Sequence, residues 1–332
     1  MNKEQILLYF ENKMQIEPIV CRELPASGSA RKNFVIETKD NNYIVTYNDN
    51  IRENESFFYL TEIFEKQHLN TPHIFDISED KTIYIQSFLG QETLSEIIAN
   101  EGLSKRVENL VQQSLDCLFV VQQRTINQID YSQSFEYQAY NHYPILHDLY
   151  YFKFMFVDVL GLVYHKESLL IEFQNLTEKI EALQPKGIMI RDFQSRNILV
   201  NDDKVYFIDY QSAMQGPLMY DVISFLFQAK ANFTSTFQQE SLQYYWQKFP
   251  DEEQIQLKES TPYLQLIRFL QVLGAYGFRG LVQKKAHFLE SIPQGITNLT
   301  SFINSWNEIV NFPELEKIIK QLEIKKNSIT KI

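Results

Sequence analysis

Three polar side chains stand in an apolar frame within residues 187–213. Asn197 follows Asp192 by five residues and Asp209 follows Asn197 by twelve, among isoleucine, methionine, valine, tyrosine and phenylalanine. A loop closing onto a short hairpin would bring all three to one end of two strands. Carboxylate and amide oxygens suit Mg²⁺, which takes few protein ligands and leaves its other positions to water and phosphate. The trio therefore predicts a phosphoryl-transfer site, where positioning and charge neutralisation supply most of the catalysis.

A plainer interpretation is that these Asp and Asn residues only cap turns. For any one of the three the two interpretations are about equally good. All three together, at this spacing and between apolar strands, favour chemistry. A carboxylate that stands near the metal without binding it can accept the proton of an attacking hydroxyl.

The N-terminal part of the chain, up to residue 88, alternates between helix and strand patterns. Apolar residues at helical spacing predict a short helix over 3–13 and a longer one in 54–68. Two β-rich runs within 33–49 flank a turn and predict a hairpin. Further strands are predicted at 73–77 and 82–88. This part is therefore predicted to be a small mixed unit.

From Thr93 onward helical patterns dominate, beginning with the apolar face of 104–123. Further helical patterns cover 146–160, 166–183, 217–230, 234–248, 264–283 and 296–322. The clear β signal of this half comes from 186–190 and from 197–200 with 204–210, which we interpret as one short hairpin that carries the polar trio. The predicted fold is α+β and bilobal: a nucleotide-binding lobe at 1–88 with an antiparallel sheet, and a mainly helical lobe at 89–332 with the catalytic loop, metal site and substrate pocket.

The composition, with 44% hydrophobic and 22% charged residues, is that of an ordinary globular protein. A net charge of −11 argues against a nucleic-acid surface, which needs clustered Lys and Arg. Cys21 and Cys117 have no metal-ligand spacing and favour a reduced setting. No signal-peptide pattern is found, and the apolar stretch 150–164 is interrupted by charges and too short to span a membrane. We expect a cytoplasmic protein without nucleic-acid or membrane partners; the sequence leaves protein partners open.

The segments "IRDFQSRNILV" and "VYFIDYQSAMQGPLMYDVISFL" resemble the catalytic and metal-binding segments of the aminoglycoside phosphotransferase and choline kinase-like superfamily. Members of that superfamily are small-molecule kinases with a protein-kinase-like fold. The resemblance implies Asp192 as the catalytic base and Asn197 with Asp209 as Mg²⁺ ligands. It also implies ATP as cofactor and a small-molecule hydroxyl as acceptor.

The resemblance extends over roughly residues 20–300. It implies a structural role for Asp221, which would orient the catalytic loop. The sequence departs from the common pattern at Ile190, where the family often has a histidine two residues before the base.

The nucleotide side is predicted from "ASGSARKNF", which precedes the first hairpin strand. Backbone N–H groups of this small-residue segment could cover phosphates, although a plain turn is the more frequent meaning of such a segment by itself. Residues 86–89 are expected to present backbone groups to adenine. The predicted nucleotide-binding residues are Ser27, Gly28, Ser29, Arg31, Glu55, Gln86 and Phe88.

A phosphate-pairing lysine is missing from the second hairpin strand, where Thr46 or Tyr47 stands. Glu55 matches the helix glutamate that usually pairs with that lysine, and it could equally be a solvated helix charge. Two interpretations stay open: an enzyme that handles phosphates through Arg31 and its loop, or a catalytically silent nucleotide-binding module that regulates a partner. The intact base and metal ligands favour the enzyme.

"GSAR", the absent lysine and "IRFLQVLGAYGFRG" resemble the branch of the superfamily that phosphorylates the anomeric hydroxyl of N-acetylmuramate or N-acetylglucosamine, together with related uncharacterised bacterial phosphotransferases. This implies a sugar or amino sugar as the leading substrate class. An aminoglycoside or choline kinase is the alternative. The C-terminal region shows no acidic cluster for a polycationic drug, since the acidic residues of 251–254 are better explained as a helix start. The 14% aromatic residues leave an aromatic cage for choline open.

Substrate contacts are predicted from the helical half. Gly274 and Gly277 cost a helix about 1 kcal/mol each, which indicates either close helix packing or room for a ligand. The aromatic-rich segment 147–156 could bind sugar hydroxyls or form a core helix with a capping Asp. Arginine, with its fixed fork of donors, suits an anionic or polyhydroxylated substrate. The candidate substrate-binding residues are Arg191, Arg196, Asp148, Tyr151, Arg268 and Arg279.

Overall fold

The computed structural model describes residues 1–25 and 31–329. The helices are α1 (Lys3–Met14), α2 (Ile51–Lys66), α3 (Leu94–Glu101), α4 (Lys105–Arg124), α5 (His142–Phe152), α6 (Lys166–Glu181), α7 (Met219–Leu226), α8 (Ser235–Trp246), α9 (Asp251–Tyr276), α10 (Ala286–Leu289), α11 (Ile292–Ser305) and α12 (Pro313–Ile329). The strands are β1 (Val20–Glu23), β2 (Lys32–Glu37), β3 (Asn42–Tyr47), β4 (Ile74–Ile77), β5 (Ile83–Ser87), β6 (Glu92–Thr93), β7 (Lys186–Met189), β8 (Ile198–Asn201), β9 (Lys204–Phe207) and β10 (Met214–Pro217). None of the helices in the described ranges has the length and apolar character needed to cross a membrane.

The chain forms two compact units. The first, called here the sheet unit, contains Met1–Gln138 and Ile190–Met214; the second, the helical unit, contains Ala139–Met189 and Gln215–Ile332. The hairpin β8–β9 belongs to the sheet unit because it pairs with β6 and packs against α3 and α4. The predicted lobes, 1–88 and 89–332, follow a different division and stay a prediction.

The larger sheet of the sheet unit has the strand order β1-β2-β3-β5-β4, and its strands are antiparallel. The predicted hairpin is confirmed, with a register from Lys32↔Tyr47 to Glu37↔Asn42. Strand β1 was not predicted, since a run of four residues is too short to show a clear alternation. Helix α1 packs Ile6 and Phe10 onto this sheet in an apolar core. The sheet is therefore covered on one face by the predicted N-terminal helix.

Helix α2 begins earlier than the predicted segment 54–68 because Asn50 caps it. The Asn50 side chain accepts a hydrogen bond from Glu53 N, which satisfies one of the free N–H groups of the first turn. The buried apolar face of the helix includes Phe57, Leu60 and Phe64. The cap fixes which residues of α2 lie in its first turn, and this decides which glutamate reaches the site described below.

The short hairpin β8–β9 is confirmed, with Asn201↔Lys204 closing it. Its two turn residues, Asp202 and Asp203, have φ of 49° and 54°, as a tight two-residue hairpin loop requires. The predicted membership of residues 186–190 in this hairpin is wrong. Strand β7 instead pairs with β10, a strand that the apolar pattern did not reveal.

In the helical unit the long helix α9 packs against α5, α7 and α11. It begins at Asp251, which confirms the predicted helix start there. The single helical pattern predicted over 296–322 is wrong: α11 ends at Ser305, a 3₁₀ turn covers Asn307–Asn311, and α12 starts afresh at Pro313. Proline has no N–H to donate and is accepted at a first helical position, so the chain restarts there.

Candidate active site

Asn197 and Asp209 are held at one end of the β8–β9 hairpin. Asn197 lies directly before β8, and Asp209 lies just after β9. The register pairs Ile198 with Phe207. One further hydrogen bond joins the strand ends, because Ile208 N donates to the Asn197 carbonyl oxygen at 3.1 Å. The paired backbones therefore bring an amide and a carboxylate to the same strand end.

The loop before β8 is tied to this strand end at Asp192. Asn197 Nδ2 donates to the Asp192 carbonyl oxygen at 2.9 Å, which commits the amide nitrogen and leaves the amide oxygen to face other partners. The Asp192 carboxylate accepts from Arg196 Nη2 at 2.7 Å, and its side chain is 34% exposed. Arg191 has a φ of 72°. The predicted trio and the two predicted arginines thus share one loop and hairpin.

Asp209 lies in a polar environment that stabilises its charge. Its carboxylate accepts from the Arg31 guanidinium and from Gln211 Nε2 at 3.0 Å. Burial by itself would raise the pKa of Asp209, but the Arg31 charge and the Gln211 amide outweigh burial and hold the pKa below its ordinary value. The residue adopts a φ of 64°, a left-handed conformation that Asp tolerates better than most residues. Asp209 is therefore an ionised carboxylate.

The donor set fits a magnesium ion. Asn197 offers its amide oxygen, since its nitrogen is engaged by the Asp192 backbone. Asp209 offers an ionised carboxylate that is 30% exposed. Mg²⁺ is usually bound through one or two protein oxygens, with water and phosphate completing the shell. An amide and a carboxylate at one strand end meet that requirement.

Helix α2 anchors the residues that follow Asp209. The Tyr210 ring stacks on Phe57 with ring centroids 5.2 Å apart, and its hydroxyl hydrogen-bonds with Thr61 at 2.8 Å. Ser56 Oγ donates to the Gln211 carbonyl oxygen at 2.8 Å. These contacts fix the loop after β9 against α2, so the helix determines where the Asp209 carboxylate points.

The glutamate beside Arg31 is Glu53, whereas the prediction named Glu55. The Arg31 Nε and Glu53 Oε1 atoms are 3.5 Å apart. Asn48 Nδ2 and Gln211 Nε2 both donate to the Glu53 carboxylate, at 3.0 and 3.3 Å. Glu55 instead is 49% exposed and pairs with Lys81. Two residues of a helix are rotated by about 200°, so Glu53 and Glu55 lie on opposite sides of α2.

Sequence reasoning missed both Glu53 and Gln211. A signal for Glu53 existed, because Asn50 followed three residues later by a glutamate is the pattern of a helix start. That pattern would have begun α2 at Ile51 and placed Glu53 in its first turn. For Gln211 no sequence signal existed, since its contact with Glu53 joins residues far apart in the chain.

The other predicted nucleotide-binding residues divide into two groups. Ser27, Gly28 and Ser29 lie outside the described residues. Gln86 is on β5, where it faces Ile44 of β3, and its Nε2 donates to Thr46 Oγ1 at 3.1 Å. Phe88 follows directly after β5 and is half-buried. The structure thus brings Gln86 next to Thr46, one of the two residues at which the missing lysine was expected.

Two of the substrate candidates are interior residues of the helical unit. Asp148 is 2% exposed and accepts from the Tyr140 hydroxyl at 2.8 Å. Arg268 is 7% exposed, bonds to Gln271 and lies over the Tyr220 ring, 5.9 Å from its centroid. Both side chains are therefore engaged by their own unit.

Tyr151 and Arg279 are less buried and lie near each other. The Tyr151 ring is 6.3 Å from that of Phe278. Burial raises the pKa of Tyr151, and the nearby Arg279 charge opposes the rise. Arg279 also lies over the Phe288 ring at 5.4 Å. These two candidates form an aromatic and cationic group in the helical unit.

The helix glycines are explained by packing. A Cβ atom on Gly277 would lie 2.1 Å from the Met155 carbonyl oxygen, and one on Gly274 would lie 2.9 Å from Phe152 N. Both obstacles are backbone atoms of α5 and of the π-helical turn that continues it, Lys153–Val157. Of the two explanations left open by the sequence, close helix packing accounts for both glycines.

Asp221 is fully buried in α7. Ile190, at the position where a histidine was expected, is likewise buried, at 2% exposure. An apolar side chain thus fills that position. The departure from the expected pattern thus falls on a packing residue.

Residues 21–257 match the family described as the Phosphotransferase enzyme family. The match covers well over half of the chain. The chain belongs to this family. It is a small-molecule kinase. Comparison with curated proteins gives no match.

Solved structures of similar fold include choline kinase LicA from Streptococcus pneumoniae, with 12% identity over 90% of this chain and 100% of that chain and a TM-score of 0.60. The ADP-bound aminoglycoside phosphotransferase APH(2'')-Ib is 16% identical over 93% and 99% of the two chains, with a TM-score of 0.60. An ethanolamine kinase of Plasmodium vivax is 14% identical over 91% and 89%, also with a TM-score of 0.60. The predicted fold class, an antiparallel sheet followed by a helical part in a protein-kinase-like fold, is confirmed.

Proposed function

We propose that this kinase transfers the terminal phosphoryl group of ATP, with Mg²⁺, to a hydroxyl of a sugar or amino sugar. The observation that carries the proposal is the β8–β9 strand end, where the amide of Asn197 and the ionised carboxylate of Asp209 flank the loop of Asp192. Family membership supplies the reaction class. The nucleotide and the acceptor class go beyond what the family alone establishes.

Asp192 takes the proton in the proposed reaction. The acceptor oxygen forms a bond to the γ-phosphorus while the bond from that phosphorus to the leaving ADP oxygen breaks, and the hydroxyl proton passes to the Asp192 carboxylate. The Asp192 proton then returns to solvent, so the products are a phosphate ester and ADP. Arg196, bonded to Asp192 at 2.7 Å, holds the carboxylate in a defined orientation.

Asn197, through its amide oxygen, and Asp209, through its carboxylate, would hold the metal. Magnesium, when bound, neutralises charge on the phosphate oxygens. The anchoring of Tyr210 and the Gln211 backbone on α2 keeps the Asp209 carboxylate in place while the phosphates are held. Ser27, Gly28, Ser29 and Arg31 are proposed to cover the phosphates, and Gln86 and Phe88 to border the adenine.

The acceptor class is proposed from the sequence resemblance to amino-sugar kinases and is supported by the group of Tyr151 and Arg279. An aromatic face and a guanidinium are groups that bind a polyhydroxylated or anionic sugar. Choline and aminoglycoside kinases are among the proteins of similar fold. Choline and aminoglycosides are therefore the alternative acceptors that the test must include.

The test is transfer of labelled phosphate from Mg·ATP to a panel of sugars, amino sugars, aminoglycosides and choline. Asp192→Asn should lower turnover at least about 100-fold, as loss of a general base does, while ATP binding persists. Asp202→Asn is the matched control, because Asp202 is an exposed aspartate in the tight turn of the same hairpin. Transfer to choline or an aminoglycoside only would overturn the sugar assignment. Transfer to no acceptor, with ATP bound, would overturn the proposed reaction.

A further inference from the structure

One face of the larger sheet carries polar side chains where the missing lysine would stand. Thr46 of β3 is fully buried and its Oγ1 donates to Asn33 Oδ1 of β2 at 2.8 Å. Gln86 of β5 donates to the same Thr46 oxygen at 3.1 Å. This hydrogen-bonded row spans β2, β3 and β5 and contains no charged residue. The strand position of the lysine is therefore filled by a neutral, satisfied side chain.

A cation reaches the same region from the neighbouring strand. Arg31 lies directly before β2 and precedes Asn33 by two residues. Tyr84, the cross-strand partner of Thr46, hydrogen-bonds with both Thr46 and Arg31. The guanidinium is thus displaced from the lysine position by one strand and keeps contact with the partner of Thr46.

The guanidinium is held by two carboxylates from separate parts of the sheet unit. Arg31 contacts Glu53 of α2 and Asp209 of the hairpin end, and its side chain is only 16% exposed. Gln211 Nε2 donates to both of those carboxylates, at 3.3 and 3.0 Å. The Gln211 Oε1 oxygen is buried and finds no hydrogen-bond donor within 1–25 and 31–329. A helix glutamate, a cation and a metal-loop aspartate are therefore joined in one polar cluster.

We propose that Arg31 replaces the strand lysine of the phosphotransferase reaction. Its N–H fork would bind the β- and γ-phosphate oxygens of the nucleotide, and Glu53 acts as the positioning residue that aims it. The inference rests on the proposed function for the identity of the ligand, and it assigns the lysine–glutamate role to a different pair of positions, Arg31 and Glu53.

An arginine in this role gives a specific expectation. A guanidinium binds phosphate through two parallel N–H groups, whereas an ammonium is a compact point charge. Arg31→Lys therefore keeps the positive charge but loses the two parallel N–H donors. It should retain only part of the nucleotide affinity that Arg31→Met removes. Glu53→Gln keeps the size and shape of the side chain but removes its negative charge. It should lower kcat more than it weakens nucleotide affinity, because the Arg31 guanidinium is then no longer held in the orientation that binds the phosphates.

The experiment measures the Kd of ADP, ATP and AMP by calorimetry in the presence of Mg²⁺, together with the circular dichroism of each variant. Arg31→Met should weaken ADP and ATP binding about 10- to 100-fold, the range expected for loss of a charged hydrogen-bond pair. AMP has no β-phosphate, so its Kd should change by less than about threefold. Arg31→Lys should fall between wild type and Arg31→Met.

Two exposed residues of the same unit provide matched controls. Arg22→Met removes an arginine that pairs with Glu37 and is 38% exposed, and Glu55→Gln removes the glutamate on the other side of α2. Both should leave ADP affinity unchanged. Equal weakening of AMP and ADP by Arg31→Met, or wild-type ADP affinity in a folded Arg31→Met, contradicts the proposed role.

The failure of this inference is distinguishable from failure of the proposed function. Loss of phosphoryl transfer to every acceptor, with ADP binding still dependent on Arg31, overturns the reaction and keeps the phosphate contact. Transfer that survives in a folded Arg31→Met overturns the inference and keeps the reaction. A wild-type protein that binds neither ADP nor ATP overturns both.

Discussion

Charged residues are used differently in the sheet unit and in the helical unit. In the sheet unit Asp192 and Asp209 have side chains that are 34% and 30% exposed, and their partners are mostly the long side chains of arginine and glutamine. In the helical unit Asp148 and Arg268 are 2% and 7% exposed and are bonded to Tyr140 and Gln271 of the same unit. A charge held at a partly open edge can exchange its partner for a ligand, whereas an enclosed charge stabilises the packing around it.

The structure sharpens a difference that residue type and spacing only indicate. The spacing of Asp209 to Asp192 and Asn197 favoured chemistry in the sequence, whereas Asp148 was left between a sugar contact and a helix cap. Exposure and the identity of the hydrogen-bond partner distinguish them. The variants below separate activity from stability and so test this comparison.

The largest expected effect is loss of activity on changing Asp209. Asp209→Ala removes the ionised carboxylate proposed to hold the metal and should lower turnover at least about 100-fold, with the fold retained by circular dichroism. The counterpart in the helical unit, Asp148→Asn, should keep turnover per folded molecule within about threefold. A folded Asp148→Asn variant without activity would contradict the claim that the enclosed Asp148 serves packing and not catalysis.

The next effect is on stability, at the close approach of Gly277 to the Met155 backbone. Gly277→Ala places a Cβ against the Met155 carbonyl oxygen and should lower the free energy of unfolding by about 1–3 kcal/mol or more, as overpacking does. Urea titration measures it. Gly295→Ala is the control, because the atoms nearest to its Cβ would be side-chain atoms of Leu273 and Tyr276 and alanine favours the helix. Equal stability of the two variants would show that the Gly277 contact can relax.

A smaller loss of stability is expected at the buried pair of Tyr140 and Asp148. Tyr140→Phe removes the hydroxyl that donates to Asp148 at 2.8 Å and should lower the free energy of unfolding by about 1–2 kcal/mol. The KM of the acceptor should not change. In a double-mutant cycle with Asp148→Asn, the two effects should be clearly non-additive. A changed KM with unchanged stability would instead place this pair in substrate binding.

The smallest effect is a pH dependence at Glu172. This carboxylate accepts from Glu314 N and Leu315 N at the start of α12, at 2.7 and 2.8 Å. Burial raises its pKa above the ordinary 4.5, although those two N–H donors act in the opposite direction. A raised pKa means that the contribution of Glu172 to stability is fully present below its unfolded pKa and is lost as pH rises through the folded pKa.

Glu172→Gln, which cannot ionise, should therefore remove a decline of stability that wild type shows as pH rises above 4.5. Urea unfolding at a series of pH values up to 7 measures this slope. Glu178→Gln, an exposed glutamate of the same helix, should retain the wild-type slope. Identical slopes in Glu172→Gln and wild type would contradict the raised pKa.

Part of the fold could be predicted because hairpins and helix starts depend mainly on interactions between residues that are close in sequence. The β2–β3 and β8–β9 hairpins follow from β-rich runs around polar turns. The start of α9 follows from its acidic first turn. Local patterns failed for the pairing of β7 with β10, because that pairing joins residues that are distant in sequence. The break between α11 and α12 had a local signal in Pro313, which the helical periodicity of the segment concealed.

By itself the sequence determined the family, the hairpin and the trio of Asp192, Asn197 and Asp209, because these residues are close along the chain and one loop and one hairpin are enough to bring them together. Only the tertiary structure decided that Glu53 accompanies Arg31, that Gln211 joins Glu53 to Asp209, and that Asp148 and Arg268 are enclosed. Those outcomes depend on how α2 docks on the hairpin end and on how the interior helices pack. Burial and partners are properties of the packed chain, and residue types alone do not specify them.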